Sequence, residues 1–333
     1  MLSRVADSLF WLSRYVERAE NVARIIDVNA QLMLDLSPAK AEALSRQWLP
    51  VAACLGDETA FRARSRQTDA AAVTEFLVFD RSHPNSISGS LATARENART
   101  VREQITTEMW EQLNRTYLWL MSKGARQAYE RNSYEFFQRV KKSLQLFQGI
   151  TDSLMMHGEG WDFIQMGRYL ERADKTSRLL DDAFFLLPSD RNRPADVLPQ
   201  WLSILRSCNA RQAYQRLYAA VLEPVKVAHL LLLNENFPRS VVFCVGQLDH
   251  ALRRVSGVGP GRYSNLAEKL SGRLLAELSY SAIEEFWVRG MHATVDELQT
   301  RLNEIGQAMV TTYIEPTAPA ASAAPAGTLA AVP

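Results

Sequence analysis

The stretch RYVERAENVARIID, Arg14 to Asp27, returns as RYLERADKTSRLLD, Arg168 to Asp181. HPNSI, with Pro84 and Ser86, has a counterpart in FPRSV, with Pro238 and Ser240. Both pairs of blocks lie 154 positions apart. One offset found twice, in blocks well separated along the chain, points to an internal duplication. The 333 residues are therefore expected to divide into repeat 1 over 1–155, repeat 2 over 156–312 and a tail over 313–333. Each repeat is long enough to bury a core of its own.

The repeated unit reads as helix. From Val5 to about Leu36 neither proline nor glycine interrupts the chain. Advancing about 100° per residue, Leu9, Leu12, Tyr15, Val16, Ala19, Val22, Ala23, Ile26, Ala30 and Met33 fall on one arc, and Arg14, Glu17, Arg18, Glu20, Asn21, Arg24 and Asp27 occupy the rest. That is an amphipathic helix. Ser37-Pro38 is expected to end it, because proline lacks a donor and disfavours helix in the residue before it.

The same reading predicts helices over 39–54 and 68–79, a long helix from Ser86 to Met121 capped by its serine, and a helix over 129–156. In the second repeat it predicts helices over 161–187, 200–222, 224–234 and 238–255, a proline-rich loop from Leu187 to Pro199, a glycine turn at SGVGPG and helices onward to Thr312. Nothing alternates like a strand, so the expected fold is all-α, a helical bundle of two tandem repeats. The tail IEPTAPAASAAPAGTLAAVP has few large apolar residues to bury and is expected to be disordered.

Identity between the two copies concentrates on the charged face: Arg14/Arg168, Glu17/Glu171, Arg18/Arg172, Arg24/Arg178 and Asp27/Asp181. Core-facing positions are merely similar, as in Val16/Leu170, Val22/Thr176 and Ile26/Leu180. Exposed ion pairs are worth little and drift freely, so these charges are expected to be held by tertiary contacts or by a ligand. Arg14, Glu17, Asn21 and Arg24 follow one stripe at spacings of three or four, which sets the carboxylate between cations. If the repeats pack about a pseudo-two-fold axis, Glu17 and Glu171 face each other, bracketed by arginines. Three readings stay open: an ion-pair network that sets packing register, an anion site using Arg14, Arg18, Arg24, Arg168, Arg172 and Arg178, and a solvated face.

A second constellation, ARENARTVREQ, sets Arg95, Arg99 and Arg102 beside an apolar arc. Guanidinium groups so spaced can clamp phosphate or carboxylate. The second copy has Asp249 and Ser256 in place of Arg95 and Arg102 and keeps only Arg253 against Arg99. The alternative is a salt-bridged helix surface.

Other chemistries find little support. The net charge of +1 provides no global field for nucleic acid or an anionic membrane, so any anion site must be local. Trp110, Tyr117 and Trp119 near the Arg95 stripe do not outweigh that neutrality. Cys54, Cys208 and Cys244 lack CxxC spacing, and an odd count argues against a disulfide framework and for a reducing, cytoplasmic setting. Cys54 and Cys208 match at the repeat offset, which suggests buried core positions. There is no Glu-x-x-His pattern for a di-metal bundle, and no Walker loop, dinucleotide fingerprint or nucleophile elbow. No metal or cofactor is expected. SLFWL is too short and too closely flanked by charge for a signal peptide, and no run is long enough to span a bilayer.

LFWLSRYVERAENVARIID, then HPNSI and ARENARTVREQITTEMWEQLN, resemble the bacterial alpha-E family over about residues 1 to 310. The family blocks correspond to Arg14, Glu17, Arg18, Arg24, Pro84, Ser86, Arg95, Glu96, Asn97, Arg99, Arg102, Glu103, Trp110 and Asn114, with His83 standing where the family loop is expected to carry asparagine. The resemblance implies an all-helical protein that accompanies ATP-grasp amide-ligase-like and transglutaminase-like proteins, hence a role in making or processing peptide or isopeptide bonds. The leading expectation is a non-catalytic accessory protein that binds such an enzyme or its peptide substrate, with the Arg95 stripe contacting an acidic or phosphorylated ligand. The rival is an enzyme with Glu17 or Glu171 as general base and arginines holding an anionic intermediate. A purely structural scaffold is the third reading.

Overall fold

The computed structural model describes residues 1–34, 42, 45, 48–185, 194–218 and 221–315. In chain order its helices are α1 (Ser3–Leu34), α2 (Leu49–Cys54), α3 (Glu58–Arg62), α4 (Ala70–Thr74), α5 (Ile87–Thr100), α6 (Thr107–Leu120), α7 (Lys123–Arg131), α8 (Ser133–Leu154), α9 (Glu159–Phe185), α10 (Pro194–Ser207), α11 (Arg211–Tyr218), α12 (Pro224–Leu232), α13 (Val241–Ser256), α14 (Leu266–Tyr280), α15 (Ile283–Arg289) and α16 (Met291–Met309). π-helical stretches extend α4 over Glu75–Phe79 and α16 over Val310–Ile314. The fold is all-α, with no strand among the described residues.

The centre is the pair α1 and α9, packed along each other. Helices α5 and α8 cover α1, while α13 and α16 cover α9. Outside these, α6 and α7 pack on α8, and α14 and α15 on α16. Helix α1 is thus enclosed on most sides. Its apolar arc, including Leu9, Leu12, Val16, Ala19, Val22 and Ile26, is buried, and so are Glu17, Glu20, Asn21, Arg24 and Asp27 on the charged side. The two central helices approach closely at one point: a Cβ on Gly167 would lie 2.2 Å from the Phe10 carbonyl oxygen. Only glycine lets the backbones meet there.

Several boundaries differ from the sequence expectation. The long helix over Ser86–Met121 is two helices, because Val101 leaves helical geometry at φ −117° and ψ 36° and the Thr106 side chain accepts from Met109 N at 3.2 Å to start α6. Val101 and Ile105 are both buried, so the turn keeps its apolar residues inside while α6 folds back on α5. The helix over 129–156 is likewise split at Asn132, whose side chain accepts from Glu135 N at 3.2 Å and caps α8.

The loop over Leu187–Pro199 gives way to α10 from Pro194, where proline suits the first turn of a helix; residues 187–193 lie outside the described residues. Within the expected helix over 200–222, Asn209 takes φ 53° and separates α10 from α11. Tyr313, assigned to the tail from the sequence, is held in the fold, its ring packed edge-on against Phe163 and its hydroxyl accepting from Asn265 Nδ2 at 3.0 Å. The stop at Ser37-Pro38, most of the expected helix over 39–54 before Leu49, and the tail from 316 lie outside the described residues.

Candidate functional site

Along α1 the turn RYVER places Arg14 and Arg18 one turn apart, and along α9 the turn RYLER places Arg168 and Arg172 in the same relation. Where the helices pack, each offers its glutamate to the other. Glu171 of α9 receives Arg18, with Nε to Oε1 at 2.6 Å and Nη2 to Oε2 at 2.9 Å, and Arg14, with Nε to Oε2 at 2.9 Å. Glu17 of α1 receives Arg172 in the same two-pronged manner, Nε to Oε1 and Nη2 to Oε2, both at 2.9 Å. Both glutamates are fully buried. The guanidiniums of Arg18 and Arg172 also lie over the rings of Tyr15 and Tyr169, at 5.2 and 5.4 Å from the centroids, so the tyrosine three residues back sets each arginine's direction.

The second cation differs between the two sites. At Glu171 it is Arg14; at Glu17 it is Arg239, from the loop before α13, with Nη1 at 3.0 Å from Oε1. Arg239 also donates to Asn21 Oδ1 at 3.0 Å and Glu20 Oε1 at 3.1 Å. Arg168 turns instead to Asp152 at 2.9 Å. Gln148 of α8 completes the Glu17 site by donating to Oε2 at 2.7 Å. Beside the Glu171 site, Asn85 accepts from Arg18 Nη1 at 2.7 Å and donates to Asp57 at 2.7 Å. His83 is buried, stacks on Phe76 at 4.1 Å between centroids, and places Nε2 3.3 Å from Asp57.

The electrostatics follow from that geometry. Burial pushes the Glu17 carboxyl upward, but Arg172 and Arg239 outweigh it and hold the group well below the ordinary carboxylate range. Burial opposes Glu171 in the same way, and Arg18 and Arg14 overcome it. A carboxylate held this way, with both oxygens filled, is a poor general base, since a useful base has a pKa near the working pH. Arg24 is lowered to about 10, first by burial and then by neighbouring Arg239, with Glu20 acting in the opposite sense.

The sequence-chosen arginines thus part company. Arg14 and Arg18 meet at Glu171, and Arg172 alone of its stripe reaches Glu17. Pairing at Glu17 and Glu171 runs across the helices, whereas Arg24 pairs with Glu20 and Arg178 with Asp174, each within its own helix. Arg99 is exposed and pairs with Glu96. Arg95 bonds Asn114 at 2.7 Å and Glu96 at 2.9 Å, lies 5.0 Å over Tyr117 and 5.5 Å over Trp110, and Arg102 lies 5.5 Å from the same Trp110 ring. Arg102 sits in the turn after α5 and not on a continuous helical stripe.

Arg239, Gln148 and Asn85 complete the site and were missed by sequence reasoning, which set Glu20 on the charged face without giving it a role. Arg239 carried a signal, because it is the repeat-offset counterpart of Asn85 inside the second proline landmark. Gln148 carried none. Cys208 and Cys244 are buried and free, their thiols pushed by burial up to about 11 and about 12. No group of three or more His, Cys, Asp or Glu is placed to hold a metal among the described residues. Among them, too, no helix is long and apolar enough to cross a membrane.

The fold and site define a class: an all-helical protein centred on two Glu-Arg dipeptides with buried glutamates, each glutamate bound by the other helix's arginine. The profile of the Alpha-E family, described as a predicted alpha-helical domain with a conserved ER motif, matches residues 1–314, and the chain belongs to that family. Glu17-Arg18 and Glu171-Arg172 are the Glu-Arg dipeptides that interlock here. An uncharacterized protein of Mycobacterium bovis is 24% identical over 310 residues, covering 89% of this chain and 34% of the relative. An uncharacterized protein of Mycobacterium tuberculosis matches with the same identity and coverage. The chain spans about one third of the length of these curated relatives. No solved structure matches it.

Proposed function

We propose that this chain is a non-catalytic accessory module of a peptide-bond-forming or peptide-processing system, docking beside an ATP-grasp-like ligase or transglutaminase-like protein. The observation that carries the reading is the consumption of the repeated Glu-Arg charges by one another in the interior. Glu17 and Glu171 have their oxygens filled by guanidiniums, so their chemistry is that of a joint.

A duplicated origin accounts for that joint. It is supported by details that recur at the 154-residue offset. Ser86 accepts from Gly89 N and donates to the Asp80 carbonyl, as Ser240 accepts from Phe243 N and donates to the Asn234 carbonyl. Ser90 and Cys244 reach the Pro84 and Pro238 carbonyls. In the mycobacterial relatives the matched stretch is about one third of a longer chain, which supports a unit that works attached to other parts. Three buried cysteines, none of them in a disulfide among the described residues, support a reducing compartment.

The contact surface is the Arg95–Trp110–Arg102 stack, the half-buried part of the family blocks that faces outward. Affinity capture from the native host, with the wild type and an Arg95→Ala/Trp110→Ala double variant as baits, tests the assignment. Recovery of a ligase-like or transglutaminase-like protein by the wild type and its loss with the folded variant is the expected outcome. Recovery of neither enzyme by folded wild type overturns it, and so does turnover by the purified chain alone.

A further inference from the structure

The far end of the α1–α8 contact opens into a polar cleft of about 710 Å³, closed on its third side by the turn between α10 and α11. Among the described residues four cations line it, Arg24 from α1, Lys141 from α8, Arg206 from α10 and Arg211 from α11, with one carboxylate, Asp27. Asp27 is already held by Lys141 at 2.6 Å. The remaining lining is rich in amides, among them Asn209.

The turn explains how these groups come together. Asn209 takes the left-handed conformation at φ 53°. Its N–H bonds the Arg206 carbonyl at 3.0 Å, and Ala210 N bonds the Leu205 carbonyl at 2.6 Å. This is a Schellman closure, with asparagine in the position glycine usually takes. It stops α10 and restarts the chain at once as α11, so that Arg206 before the turn and Arg211 after it line the same cleft. The first-turn N–H groups of α11, which have no partner within their own helix, lie at this wall.

An independent observation points to a ligand. Arg24 lines the cleft yet is only 5% exposed, and its buried Nε has no hydrogen-bond acceptor among the described residues. Its carboxylate partner, Glu20, is shared with Arg239 and Gln145. Buried donors are ordinarily satisfied, and this one is orphaned among the described residues at the wall of the cleft.

We infer that this cleft is a binding site for a small phosphate-bearing anion, held by Arg24, Arg206, Arg211 and Lys141 with the N-terminus of α11. Guanidiniums converging from three helices, together with a helix N-terminus, suit the several outward oxygens of a phosphate better than the two coplanar oxygens of a carboxylate. The volume suits a small molecule. The inference uses none of the residues assigned to partner docking and stands or falls separately from that assignment.

Isothermal titration of the full chain with inorganic pyrophosphate, inorganic phosphate and citrate, at low and high salt, tests it. Pyrophosphate is expected to bind more tightly than phosphate or citrate, and to weaken at high salt. Arg211→Ala, at an exposed position whose loss leaves the core intact, is expected to weaken pyrophosphate about tenfold, with partial rescue by Arg211→Lys. No heat with pyrophosphate at millimolar concentration overturns the proposal, as does binding that Arg211→Ala leaves unchanged. Citrate binding at least as tightly as pyrophosphate overturns the phosphate assignment.

Discussion

Glu17 and Arg172, 155 positions apart, form a two-pronged ion pair inside the protein, with both oxygens of one matched to two nitrogens of the other at 2.9 Å. Removing one partner of a buried pair costs far more than the pair contributes net, because the other charge stays buried without compensation. Glu17→Gln is therefore expected to lower unfolding free energy by about 3–5 kcal/mol. Glu171→Gln should cost less, since the cations it strands are more exposed: Arg14 and Arg18 at 17% and 14%, against 9% and 13% for Arg172 and Arg239. Urea titrations of the two variants give the order, and a Glu17→Gln protein within 1 kcal/mol of wild type, roughly a surface-pair effect, would refute it.

Acid should unfold the protein through the same two groups. Both folded-state pKa values lie below the ordinary 4.5, so the unfolded chain binds the protons more readily. Their contribution is fully present above the ordinary value and declines as pH falls from there toward the depressed folded values. Thermal midpoints measured from neutral pH down to about pH 3, on the acid side of the ordinary Glu value, should drop more steeply for wild type than for the Glu17→Gln/Glu171→Gln double variant. Parallel curves would count against the linkage.

Gly167→Ala is predicted to be among the most damaging single-methyl additions. The new carbon would sit 2.2 Å from the Phe10 carbonyl oxygen, which is backbone and cannot swing aside. The cost should reach or exceed the upper end of overpacking penalties, about 3 kcal/mol. Gly149→Ala, where nothing lies within 4 Å, is the control and should be neutral or mildly stabilising in its helix. Equal stability of the two variants would show that α1 and α9 do not cross at that point.

Cys208 and Cys244 should resist thiol reagents at pH 8 in the folded protein, because burial both shields them and raises their pKa to about 11 and about 12. Only the thiolate reacts. Labelling followed by mass spectrometry should find both unmodified until denaturant is added, and modification of Cys244 in the native protein would contradict its placement.

Fold class and the central charges were legible in the sequence because they rest on long proline-free runs and on identity between RYVER and RYLER. The pairing was less so. Helical spacing places Arg24 near the stripe of Glu17, yet Arg24 binds Glu20, and Glu17's second cation comes from Arg239 in a loop. Stripe arguments see only one helix, and side chains choose partners across the packing. The breaks at Thr106 and Asn132 lack glycine or proline, but each is a capping residue followed by an acid, Glu108 and Glu135, in the first turn. The cleft beside Arg24 was invisible, since it depends on Asn209 adopting a left-handed turn that few asparagines adopt.

The reach of Arg239 to Glu17 over 222 positions bears on how the protein is made. On the ribosome, the helix carrying Glu17 emerges roughly 10–45 s before the arginine that completes its ion pairing, at about 5–20 residues per second. During that interval Glu17 can be met by Arg172 but not by its second cation, so its carboxylate keeps part of its hydration until Arg239 arrives and the centre closes.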